Sequence, residues 1–166
     1  MNDIVWAINP RRDHLSDLVQ RMRRFASDVF TAKEIDFSFR APEPRADIKL
    51  GADIRRDVFL IFKESVNNAV RHSHCTRSEV EFIIEDGQLR LTVRDNGRGF
   101  NLAEANDGNG LFSMRQRAAE IGGTLEVRSN NGSGSGKILK LMAQMAARRG
   151  WVGNGSNGHS KSKPHL

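Results

Sequence analysis

The sequence predicts an α/β two-layer sandwich: a mixed sheet of about four or five strands, covered on one face by about three helices. Three observations lead there. Two long stretches carry apolar residues at helical spacing, two alternating segments meet at Asp86-Gly87, and a third helical stretch is followed by two more alternating segments.

Taken in order, MNDIVWAINPRR reads as a connector broken at Asn9-Pro10. From Asp13 to about Ala32, Leu15, Leu18, Met22, Phe25 and Val29 draw one stripe along an amphipathic helix that packs on its own domain. Ile35–Arg40 alternates like a strand, and APEPRAD is a proline-bearing loop. A second helix is expected from about Ala52 to Ser73, with Val58, Phe59, Phe62, Val66 and Val70 toward the core. SEVEFIIE and QLRLTVRD form a hairpin, since Asp-Gly favours the tight turn that matches strand twist. A helix then runs through Glu120 to the stop at Gly122-Gly123. TLEVRS and KILKLM complete the sheet around the loop NNGSGSG. The residues from about Gly150 onward are rich in Gly, Ser, Asn and Lys, a composition expected to be disordered.

The 166 residues suit one domain, and 38% hydrophobic with 28% charged residues is ordinary globular composition. No stretch approaches a membrane span, and the N-terminus carries no signal-peptide pattern. The single cysteine, Cys75, excludes an internal disulfide and suits a reducing, cytoplasmic setting. A net charge of +6 invites a nucleic-acid reading. Against it, the basic residues are scattered or confined to the tail (Arg148, Arg149, Lys161, Lys163) and are not interleaved with stacking aromatics.

Three ordered segments carry chemistry. On the second helix, Glu64, Asn68 and Arg71 fall within about 60° of one another, on a side other than the apolar one. An asparagine carbonyl is a hard neutral oxygen suited to Mg²⁺. Arg71 offers guanidinium donors to phosphate, and Glu64 can orient or deprotonate a water. Next, Asp95-Asn96-Gly97-Arg98-Gly99-Phe100 follows a strand directly, so its carboxylate can accept from an adenine amino group while the glycines admit the base. Last, Gly108-Asn109-Gly110-Leu111 leads into a helix whose free N–H groups and dipole suit phosphate. The stretch 101–107 between the glycine clusters reads as a short lid. Read singly, the helix face fits a solvated surface and the glycine runs fit plain turns.

Together they resemble the GHKL ATPase superfamily (gyrase, Hsp90, histidine kinases, MutL), and within it the histidine kinases. ESVNNAVRHS resembles the kinase N box, DNGRGF the first glycine box and GNGLFSMRQRAAEIGG the second. The run Gly-Leu-x-x-Met-Arg-x-Arg is similar to that of the nitrate- and desaturase-control sensors. The resemblance spans roughly residues 4 to 142, and DIVWAINP looks like the junction after the dimerisation helices. It implies ATP and Mg²⁺ as ligands, with Asn68 holding the metal and Asp95 reading adenine. Arg71 and His72 would meet phosphate or ribose, and Gly97, Gly99, Gly108, Gly110 and Leu111 would shape the pocket and lid. Glu64 sits where gyrase-like relatives keep a water-activating glutamate.

The sequence departs from the family in places. The phenylalanine-rich box of many kinases is missing, and NNGSGSGK matches the Gly-x-Gly-Thr pattern loosely, with Ser135 in the threonine's place. His14 lacks the acidic neighbour of this subfamily's phosphoacceptor and reads as an exposed helix histidine. The expected organisation is a connector over 1–12, the catalytic domain over 13–146 and a disordered tail over 147–166. The expected partners are a separate dimerisation and phosphoacceptor domain and, downstream, a response regulator. Two other readings stand beside this one: a stand-alone serine kinase of the anti-sigma-factor type, and a basic nucleic-acid-binding module. His72, His74 and Cys75 lack the second ligand pair of a structural zinc site. Trp6 and Trp151 read as packing or tail residues.

Overall fold

The computed structural model describes residues 14–41, 48–99, 109–129 and 137–144. The expectations for the connector, the lid, the loop with Ser135, both tryptophans, the tail, Phe100 and Gly108 lie outside the described residues.

Helix α1 (Leu15–Thr31) buries Leu15, Leu18, Met22, Ala26 and Phe30. Beyond Met22 this differs from the stripe read in the sequence, for Phe25 and Val29 are only partly buried. From Leu18 on, the buried row advances in steps of four, along a ridge inclined to the helix axis that suits an oblique crossing. His14 occupies the N-cap position, partly buried, with Nδ1 3.8 Å from Asp17 Oδ2. It is therefore a terminal residue rather than an exposed one within the helix.

Strand β1 (Asp36–Arg40) is followed by α2 (Ala52–His72), which leads to β2 (Arg77–Glu85). The turn to β3 (Gln88–Asp95) has positive φ at both central residues, 51° at Asp86 and 72° at Gly87. That backbone is the hairpin turn the Asp-Gly pair favours. Helix α3 (Asn109–Glu120), β4 (Gly123–Ser129) and β5 (Lys137–Gln144) complete the described elements. The strand order is β1-β2-β3-β5-β4, so β5 lies between the hairpin and β4. The sheet is mixed because β1 pairs parallel to β2 while the other pairings are antiparallel.

Register turns sequence alternation into two faces. Phe39, Val80, Val93, Leu139 and Val127 stand in one row across the sheet, and Phe82, Leu91, Leu141 and Leu125 in the next. These apolar rows meet the helices, with α1 on β1, α2 on β3, and α3 on β4 and β5. A row on the opposite face reads Arg40, Glu81, Thr92, Lys140 and Glu126. There Arg128 Nε lies 2.6 Å from Glu126 and Arg94 lies 3.8 Å from Glu79. Acid and base are interspersed on this face, which is not a continuous basic track for a nucleic-acid backbone. Among the described residues, no helix is long and apolar enough to cross a membrane.

An aromatic cluster joins α1, α2 and β1. The ring of Phe62 lies 6.1 Å from Phe25, 6.3 Å from Phe39 and 6.3 Å from Phe59. Edge-to-face contacts of this kind add to area burial. Arg21, Arg23 and Lys63 lie over the cluster's outer rings at 4.9, 4.8 and 5.7 Å. Phe62 is fully buried at its centre. Phe62→Ala is expected to cost about 3–5 kcal/mol, read as a lower urea midpoint at unchanged slope. A shift under about 1 kcal/mol would show that the cluster does not bind these elements together.

Candidate nucleotide site

The site gathers where the C-terminus of α2, the end of β3 and the start of α3 meet. Alternation along β3 puts Leu89, Leu91, Val93 and Asp95 on the helix-covered face. Asp95 is the last of this series and lies at the end of the strand, 4% exposed. A carboxylate is thus placed on the inner side of the sheet by the same periodicity that builds the core. Its Oδ1 accepts the Gly97 N–H at 3.0 Å, which fixes the carboxylate's plane through its own loop.

That loop is tied to α2 through Ser73. The last carbonyls of a helix have no partner within it. Here the Ser73 carbonyl accepts the Arg98 N–H at 2.6 Å, and the Ser73 hydroxyl donates back to Ala69 O at 2.5 Å. A Cβ on Gly97 would collide with the Ser73 carbonyl, so only glycine allows this approach. Asn96 fastens the other side. Its side-chain oxygen accepts the N–H groups of Thr76 and Arg77 at 3.0 and 2.9 Å, and its amide donates to Thr76 Oγ1 at 3.0 Å.

On α2, Glu64 and Asn68 are partly buried, while Arg71 and His72 are exposed in the last turn. Phe62, Val66 and Ala69 bury the opposite flank. No hydrogen bond or ion pair engages Glu64, Asn68 or Arg71 among the described residues, so these polar groups are not spent on holding the helix. Glu64 instead faces α3, where a Cβ on Gly110 would stand 2.5 Å from its Oε1.

The structure places Gly110 and Leu111 differently from the glycine loop read in the sequence. The helix starts at Asn109, so both lie in its first turn. Leu111 is 8% exposed and belongs to the core, with Met114 and Ala118 below it on the same face. Gly99 is partly buried beyond Arg98. His72 and His74 are exposed whereas Cys75 is buried, and no metal-holding group of three His, Cys, Asp or Glu side chains forms among the described residues. Burial, more than any other effect, pushes the Cys75 thiol up, away from the thiolate a metal would require.

Sequence reasoning missed Ser73, Asn96 and a buried carboxylate, Asp57. Ser73 was open to discovery as the last residue of the expected helix, where caps fall. Asn96 lies inside the motif but looks like a turn residue until its partners are seen.

The chain belongs to the family of histidine kinase-, DNA gyrase B- and HSP90-like ATPases, whose model matches residues 53–145. Within that family it is similar to sensor kinases. It is 40% identical over 90 residues to the sensor protein VraS of Staphylococcus aureus (strain COL), covering 54% of this chain and 26% of that protein. The sensor histidine kinase LiaS of Bacillus subtilis (strain 168) is 39% identical over 96 residues, covering 57% of this chain and 27% of its own length. The chain thus matches about a quarter of the length of these curated relatives. Among solved structures, the histidine kinase domain of a blue-light-activated kinase from Erythrobacter litoralis superposes with a TM-score of 0.65 at 23% identity. That match covers 77% of this chain and 61% of the other. The ATP binding domain of PrrB from Mycobacterium tuberculosis gives 0.59 at 23% identity, covering 80% and 98%. At such identities the likeness establishes the shared sandwich fold.

Gly97→Ala is expected to destabilise the chain by about 1–3 kcal/mol, because the Ser73 carbonyl leaves no room for a methyl group. An unchanged urea midpoint would show that the loop does not depend on this approach.

Proposed function

We propose that this domain binds Mg-ATP and serves as the catalytic domain of a two-component sensor histidine kinase. The observation that carries the reading is the buried Asp95 carboxylate, locked by Gly97 and Ser73 beside a helix face whose Glu64, Asn68 and Arg71 form no hydrogen bond or ion pair among the described residues. In this reading Asp95 accepts a hydrogen bond from the adenine amino group. Arg71 and His72 reach phosphate or ribose, and Gly97, Gly99, Gly108 and Gly110 shape the pocket and lid. Leu111 contributes from below, holding the first turn of α3 against the core.

The donor set fits magnesium at Asn68, an uncharged oxygen ligand that is partly buried and has no hydrogen-bond partner among the described residues. Bound there, the ion would offset negative charge on the phosphate oxygens. Glu64 would orient a water or a polar group at the phosphate end rather than hold the metal.

In the parent kinase, a histidine nitrogen on a dimerisation helix outside this chain forms a bond to the γ-phosphorus. The bond to the bridging oxygen breaks, and ADP leaves. The phosphoryl group then passes to an aspartate of a response regulator. Such transfer needs mostly positioning and charge neutralisation. The relatives reported above are sensor kinases and lend no support to the anti-sigma-type serine kinase or nucleic-acid readings.

Calorimetric titration with an unhydrolysable ATP analogue and Mg²⁺ tests the site. Asp95→Asn should weaken binding by about tenfold or more, since it removes a charged acceptor and presents an amide N–H₂ to the adenine amino group. Asn68→Asp should shift the Mg²⁺ concentration needed for half-saturation. An Asp95→Asn variant that binds like the parent chain would overturn the adenine assignment. Separately, the purified chain should bind ATP without labelling itself. Stoichiometric self-phosphorylation would place the acceptor within it.

A further inference from the structure

Helix α3 meets α2 through three contacts whose spacing forms a register. At its start, Gly110 backs onto the Glu64 carboxylate. In the middle, the Ser65 hydroxyl lies 3.7 Å from Met114 Sδ. Toward its end, Arg117 Nη1 lies 3.3 Å from Asp57 Oδ1. Gly110 and Arg117 are seven positions apart, as are Asp57 and Glu64. Seven residues are two turns, or about 10.5 Å of helix, so the two intervals match when the helices run antiparallel. One carboxylate of α2 thus stands at each end of the contact, and apolar packing fills the space between.

The Asp57 end has an unusual chemistry. Its side chain is 1% exposed and is shared between two arginines. Arg56 approaches it with Nε at 3.1 Å and Nη2 at 3.2 Å, and that hydrogen bond and charge raise the Arg56 pKa above its ordinary value. Arg117, 37% exposed, is the partner contributed by α3. Apolar side chains such as Met114 and Ala118 would tolerate a small slide of one helix along the other. A buried carboxylate that has lost one of its two cations would not.

We infer that Asp57 and Arg117 form a positioning pair that sets the register of α3 on α2, and through it the phosphate end of the nucleotide site. The inference rests on the nucleotide reading above. A one-residue slip would carry the first-turn N–H groups of α3 about 1.5 Å from their place. Displacements of that size are enough to disable phosphate alignment. The adenine end has its own anchor, because the loop that holds Asp95 is tied to α2 at Ser73.

The test compares Mg-bound unhydrolysable ATP analogue with adenosine, each titrated by NMR into the parent chain, Asp57→Asn, Arg117→Gln and the double variant. Arg117→Gln changes a partly exposed residue and keeps the test open should Asp57→Asn fold poorly. Each single change should weaken the triphosphate analogue roughly tenfold while adenosine stays within about twofold. The double variant should be no weaker than the poorer single one. Arg117→Lys should restore part of the loss. Phe30→Leu serves as a control for general destabilisation, since Phe30 stacks on Phe37 near the opposite edge of the sheet. It should lower the melting temperature and leave the triphosphate-to-adenosine ratio unchanged. The same ratio in the parent chain and in Arg117→Gln would overturn the inference. If the folded parent chain binds neither ligand, the nucleotide reading itself fails, and amide exchange then judges the register. Faster exchange across α3 in Arg117→Gln, absent in Phe30→Leu, would support it. Unchanged protection would sink it.

Discussion

Much of this domain turns on one carbonyl group. Ser73 O closes the C-terminus of α2, accepts the Arg98 N–H and occupies the space a side chain at Gly97 would need. Because of that contact, the strand bearing Asp95 and the helix bearing Asn68 are held to each other at the site. The two residues come from elements far apart in sequence, yet no long flexible segment intervenes between their anchors. Asn96 closes the loop on its other side by taking both Thr76 and Arg77 N–H groups. A site made this way begins with its Asp95 end already ordered, so less conformational entropy is lost when a ligand binds there.

The second constraint is the sheet's alternation. Since β3 points odd-numbered residues inward, Asp95 is carried to the inner face by the periodicity that buries Leu89, Leu91 and Val93. Its burial is a consequence of strand geometry, and a one-residue slip of β3 would turn it outward with the core residues. Function and packing are thus linked by the same register. The outer face shows the converse: its charges pair both across strands (Arg94 with Glu79) and along one (Arg128 with Glu126), and the excess positive charge of the chain is not concentrated there.

How much of this could be read in advance follows from the range over which each signal acts. The helix stripes, the Asp86-Gly87 turn and the alternation of the strands are local, and they gave element limits within about two residues in most cases. The place of β5 between β3 and β4 was not readable, because both late strands alternate similarly and pairing is decided across the sheet. The stripe of α1 was misjudged past Met22 because a helix crossing at an angle buries a slanted ridge, and Phe25 looks more apolar than Ala26. Gly97 and Gly110 were recognised as special, but for the pocket. What fills their missing Cβ positions is the Ser73 carbonyl and the Glu64 carboxylate, contacts that span 24 and 46 positions respectively. Asp57 could not be singled out, since a charged residue early in a helix looks like part of a solvated face until its partner 60 residues away is known.

Among the described residues, these long-range contacts divide the site into two parts that α2 connects. The Asp95 side is fixed by hydrogen bonds that engage the main chain of Ser73, Thr76, Arg77, Gly97 and Arg98. The α3 side is fixed by side chains, Glu64 against Gly110 and Asp57 against Arg117, over two turns of paired helix. Side-chain contacts yield more readily than hydrogen bonds through the backbone, and the Asp57–Arg117 pair limits how far they do so. In the proposed function, a domain that grips one end of a nucleotide while the other end reacts benefits from that difference in stiffness. The rigid end sets where the ligand sits, and the softer end, at the start of α3, is where binding can be coupled to movement. α2 supplies both, because its C-terminal carbonyl faces β3 while its two carboxylates face α3.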